Sequence, residues 1–178
     1  MSEERILNLK RDMIAIGGLL WEKELVSGLN GNISLRVDSK TILMTAHSTC
    51  LGLLQEKDIL HMNIGDGVLL EEGAVSSEKL LHTEVYKNYP ETKAVLHTHT
   101  TYTNAYFLEN DQLIPRIFES KFYLGDVPAI EQTTPAVTDT ARVMEAFKSN
   151  NIVVLQIHGV VAKGEELFDC FLCKERSS

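Results

Sequence analysis

A chain of 178 residues with 44% hydrophobic and 24% charged side chains is long enough for one domain with a buried core and has a globular composition. A formal net charge of −8 argues against nucleic acid and against an anionic membrane surface, since both require clustered Lys and Arg. Apolar runs are only a few residues long and no basic stretch precedes one, so neither a membrane span nor a signal peptide is expected and the cytoplasm is the expected compartment. The three cysteines, Cys50, Cys170 and Cys173, fit a reducing environment better than a disulfide framework. No repeat or linker divides the sequence, and residues 1–178 read as a single domain.

Residues 3–25 carry helical apolar spacing through Ile6, Leu9, Met13, Ile16, Leu19 and Leu20. A turn cluster at Leu29-Asn30-Gly31-Asn32 leads into Ile33–Val37, which alternates strictly, and Asp38-Ser39-Lys40 turns the chain into Thr41–Thr45 as an antiparallel hairpin. After a short helix, residues 59–63 and 68–70 suggest a second hairpin around Gly65-Asp66-Gly67. Ser76-Ser77-Glu78 opens a helix to about Tyr89 with Leu80, Leu81, Val85 and Tyr86 on its inner face. Pro90 ends that helix, and Lys93–His99 reads as a strand. Then come a helix from about 100 to 108, an extended segment around 123–130, a helix over 138–148 and a strong apolar strand over 152–158. This mixture predicts an α/β (α+β) fold, three-layer α/β/α with a central, mainly antiparallel sheet.

The chemistry is concentrated in histidine. His97 and His99 are two apart on a strand, so their side chains share a face with Cα atoms roughly 6–7 Å apart, close enough for two imidazoles to meet one ion. Such a pair is frequently no more than polar residues on a strand, and His158, at the end of the second apolar strand, tilts the balance. Three imidazoles with a fourth position open is the catalytic arrangement of zinc. Glu78 is either an acid/base or a carboxylate favoured by the helix dipole, and Ser76 and Ser77 are either anion donors or simple caps. Asn32 shapes its turn or serves the site, His82 supports or packs rather than ligates, and Cys170-x-x-Cys173 reads as an apolar helix face.

Taken together, Gly31-Asn32-Ile33-Ser34, Ser76-Ser77-Glu78 with His82 and Tyr86, Ala94-Val95-Leu96-His97-Thr98-His99, and His158-Gly159 before a small apolar strand resemble the class II aldolase/adducin family, notably its fuculose-phosphate aldolase-like members, over about residues 5–168. The resemblance implies a helix-layered, mainly antiparallel sheet and a homotetramer with active sites between subunits. It implies one zinc ion per subunit on His97, His99 and His158, Glu78 as the acid/base, and Asn32, Ser48, Ser76 and Ser77 around the phosphate of a small phosphorylated sugar. The implied activity is zinc-dependent aldol cleavage of a small ketose phosphate through a metal-stabilised enediolate. Dehydration or 4-epimerisation of a related sugar phosphate, and a non-catalytic adducin-like binding role, are the alternatives.

Three departures from the family pattern stand out. Thr45-Ala46-His47-Ser48 replaces a Thr-Pro-Ser/Thr-Gly turn, so a positive φ at Ser48 would be costly. Glu119 stands where some members place a substrate-side tyrosine. Family members also continue past the strand that follows the third histidine, so with the sequence ending at Ser178 their long helix and tail are expected to be missing.

Overall fold

The computed structural model describes residues 3–132, 134, 136–137 and 139–177. Helix α1 (Glu3–Glu22) turns Met13, Ile16, Gly17 and Leu20 inward and is shorter than its apolar spacing suggests, because Glu24 adopts φ 57°. Strands β1 (Asn32–Arg36) and β2 (Thr41–Thr45) form the expected hairpin, with Leu35 opposite Leu43. After two 3-10 turns, β3 (Ile59–Asn63) pairs antiparallel with β2. The second expected hairpin is reduced to one isolated bridge between Met62 and Leu69, so residues 68–70 are not a strand.

Helix α2 (Lys79–Asn88) is followed by β4 (Ala94–Thr98), α3 (Thr101–Tyr106) and a two-residue strand β5 (Gln112–Leu113). The expected extended segment around 123–130 divides into helix α4 (Phe118–Leu124) and β6 (Val127–Glu131), with Gly125 at φ 60° between them. Helix α5 (Ala141–Ala146) is shorter than the expected 138–148, and position 138 lies outside the described residues. The chain closes with β7 (Ile152–Gln156), β8 (Gly159–Gly164) and α6 (Leu167–Ser177).

Among the described residues, eight strands form one sheet in the order β3-β2-β1-β4-β8-β7-β6-β5, in which β6–β7 is the single parallel pairing. Alternation of side chains gives each face its own core. Leu35, Leu43, Leu96, Val154 and Val160 pack under α1 and α6, whereas Met44, Val95, Val153 and Val161 pack under α2 and α5. Three layers with a mainly antiparallel sheet match the expectation. No helix among the described residues is long and apolar enough to cross a membrane.

Candidate functional site

The histidines meet where β4 ends. His97 is fully buried, and its Nδ1 lies 3.1 Å from the carbonyl oxygen of Val160. A carbonyl only accepts, so Nδ1 carries the proton and donates it, leaving a lone pair on Nε2. That Nε2 is 2.9 Å from His99 Nε2 and 3.0 Å from His158 Nε2. Ligand atoms of all three residues lie within 4.8 Å of one another.

Delivery of His158 differs from the sequence expectation in one respect. It does not end a strand beside β4; it sits in the tight turn from β7 to β8, and β8 is the strand that pairs with β4. Ile157 adopts φ 61° to make this turn, and Gly159 allows it to lie against the other two histidines. A Cβ on Gly159 would overlap the Thr98 carbonyl oxygen and stand 2.9 Å from His97 Cε1 and 3.1 Å from His99 Cδ2.

Glu78 approaches from α2. It is the N-cap of that helix rather than a member of its first turn, and its side chain leaves the cap unfilled. The residue is 5% exposed. Its Oε2 accepts the Val137 N–H at 3.3 Å, and its Oε1 lies 3.6 Å from His158 Nε2. Burial pushes the Glu78 carboxyl above the usual carboxylate range, against the pull of the Val137 N–H, and burial holds the His158 imidazole below its ordinary value. Both groups are thereby biased to their neutral forms, so their contact is not a strong ion pair and His158 keeps a lone pair to offer.

A cavity of about 190 Å³ opens beside these groups. Its lining includes Asn32, Ser48, Ser76, Ser77, Glu78, His99 and His158, so of the residues that the resemblance assigns to metal, acid/base and phosphate only the deeper His97 is absent from it. Ser48 adopts the positive φ that the sequence marked as costly, 56°. Ser76 Oγ accepts the Glu78 N–H at 3.3 Å, which leaves its own proton for the cavity. Sequence reasoning gave no site role to Asn30 and Thr49, which also line this space, and did not foresee the part of Ser34 behind it. The polar Asn32 and Ser34, alternating on a strand face that looks toward the polar positions of α2, were the available signal. His82 is fully buried and hydrogen-bonded away from the imidazole cluster, in keeping with a supporting role.

Three ring nitrogens, one of them left with a lone pair by its backbone hydrogen bond, fit a divalent transition-metal cation with an open coordination side. Fold and site together define a three-layer α/β/α protein with a candidate metal and acid–base centre above the end of β4. Residues 11–175 match the family model Class II Aldolase and Adducin N-terminal domain, and the chain belongs to that family.

The chain is similar to L-fuculose phosphate aldolase of Methanococcus vannielii, 27% identical over 165 residues that cover 93% of this chain and 89% of the relative. It is also similar to 3-oxo-tetronate 4-phosphate decarboxylase of Pectobacterium atrosepticum, 29% identical over 175 residues that cover 93% of this chain and 77% of the relative. Among solved structures, L-fuculose-1-phosphate aldolase from Thermus thermophilus shares the fold with a TM-score of 0.86 and 26% identity, covering 98% of this chain and 90% of that one.

Proposed function

We propose that the protein is a zinc-dependent lyase of the cytoplasm that cleaves a carbon–carbon bond in a small ketose phosphate. The observation that carries this reading is the convergence of His97, His99 and His158 nitrogens at 2.9 and 3.0 Å beside a buried carboxylate. In this reading the three imidazoles hold the ion, and Asn32, Ser48, Ser76 and Ser77 hold the phosphate in the cavity they line. A divalent cation bound there supplies Lewis acidity to the substrate's carbonyl and hydroxyl oxygens.

The protein's own groups do the rest. Glu78, with a carboxyl raised by burial, is suited both to take a proton from a substrate hydroxyl and to return it to carbon. Its Oε2 is held by Val137, which leaves Oε1 on the His158 side as the reacting oxygen. Backbone and hydroxyl donors at the Ser48 turn and at Ser76-Ser77 favour a doubly charged phosphate despite the net charge of −8. Exposed apolar side chains on α3 and α4, Tyr102, Phe118 and Phe122, support assembly into a homo-oligomer, with a tetramer as the expected form.

Similarity to a 3-oxo-tetronate 4-phosphate decarboxylase favours one second reading, loss of carbon dioxide from a phosphorylated keto acid. That reaction leaves negative charge on the same kind of fragment and uses the same site. Assay of the zinc-loaded protein with dihydroxyacetone phosphate and short aldehydes, beside a phosphorylated 3-keto acid, separates the two. Turnover of neither class would contradict a lyase.

A further inference from the structure

Behind the phosphate side of the cavity, two pairs of polar residues interlock. Asn32 and Ser34 lie two apart on one face of β1, and His82 and Tyr86 lie four apart on one face of α2. All four are buried, His82 and Ser34 completely. His82 Nε2 is 2.6 Å from Asn32 Oδ1, and His82 Nδ1 is 2.6 Å from Ser34 Oγ. The Tyr86 hydroxyl is 2.9 Å from both Ser34 Oγ and the Ser34 carbonyl oxygen. Arg36 fastens the far end, stacking over the Tyr86 ring at 4.8 Å and donating to the Tyr86 carbonyl at 2.8 Å.

Counting protons along this chain fixes its direction. Asn32 Oδ1 can only accept, so His82 Nε2 carries a proton. A second proton would put a charge on a fully buried ring, which burial penalises, so the ring is neutral and Nδ1 accepts. Ser34 Oγ then donates to Nδ1, and the Tyr86 proton is shared between the two Ser34 oxygens. With Oδ1 held inward, Nδ2 is the polar atom that Asn32 offers to the cavity. The opposite neutral tautomer would require the carboxamide to turn over and present its oxygen instead. An amide face that donates suits a phosphate, and one that accepts repels it.

We propose that His82 is a positioning residue. Through its Nε2–H, set by Ser34 and Tyr86, it locks the Asn32 carboxamide with its N–H groups toward the cavity and so makes that wall of the site selective for an anion. The proposal rests on the reading of Asn32 as a phosphate contact, and the test separates the two.

The protein is titrated with inorganic phosphate by calorimetry, and the His82 ring is observed by long-range ¹⁵N NMR. The expected wild-type signature is a neutral Nε2–H tautomer. His82→Asn, whose amide replaces only the Nδ1 side, should bind phosphate about tenfold more weakly. His82→Gln, whose terminal N–H reaches toward Asn32, should return affinity to within about threefold of wild type. Adding His82→Asn to Asn32→Ala should cause no further loss. An Nδ1–H tautomer in the wild type, or losses from the two substitutions that add, would overturn the proposal while a loss in Asn32→Ala alone still upheld the phosphate reading. Equal phosphate binding by wild type and Asn32→Ala would remove that reading and the proposal with it. The tautomer is read on unaltered protein, so the question is decided even where a variant folds poorly.

Discussion

Gly159 lies directly against His97: a single added carbon on Gly159 would stand 2.9 Å from His97 Cε1. The histidine cluster therefore depends on a residue that has no side chain. Gly159→Ala should lower stability by about 1–3 kcal/mol through overpacking. It should also separate His158 from the other two rings. Denaturant unfolding and metal titration of the variant check both, and unchanged metal affinity would show that the turn is more pliant than its packing indicates.

Glu78 supplies the pH dependence. Its folded carboxyl titrates above its unfolded value because burial penalises the charge. The unfolded chain therefore gives up this proton first as pH rises, and the stability fully present below the unfolded value is lost as pH passes through the folded one. In metal-free protein, Glu78→Gln should be more stable than wild type at about pH 8, with the difference shrinking toward about pH 4. The same variant should lose about hundredfold or more in turnover, as removal of an acid/base requires. Parallel melts across pH and a steady-state assay make the comparison.

Ile157 is a β-branched residue at φ 61° and is 77% exposed, so it carries backbone strain with little burial to offset it. Ile157→Asn should raise stability by about 1 kcal/mol, because asparagine accepts left-handed geometry more readily. A lower melting temperature would mean that the side chain is covered in the assembled protein.

Ser48 presents a milder case at φ 56°. Ser48→Gly should stabilise by about 0.5 kcal/mol, the relief of strain being partly offset by the added freedom of the unfolded chain. If the turn binds phosphate through backbone N–H groups, phosphate affinity should be retained or improved. A clear loss would assign the contact to the hydroxyl.

Much of this architecture was legible in the sequence because it follows two periods. The alternation in Ile33–Val37 and Thr41–Thr45, and the apolar run before His97, specify strands, and the first two pair as the expected hairpin. The shared face of His97 and His99 was legible for the same reason, whereas the grouping of Glu78 and Ser76-Ser77 with them came from the family resemblance and not from spacing. Helix α4 was not legible, because Phe118 and Phe122 at helical spacing face outward and so give no signal of an inward apolar stripe. The β7–β8 turn was hidden by Ile157, a residue that argues for a strand yet takes a left-handed conformation. Nor could periodicity show that Ser34 and Tyr86 would close a hydrogen-bonded chain through His82, since that depends on how α2 lies across β1.

Everything proposed for the chemistry depends on a metal site at His97, His99 and His158. Elemental analysis of bound metal per chain, on wild type and His97→Ala purified side by side, decides whether that site exists. About one divalent ion per wild-type chain is expected, zinc foremost, and none in the variant. Wild-type protein that holds no metal, and acquires none when supplied with micromolar zinc, would contradict the metal site.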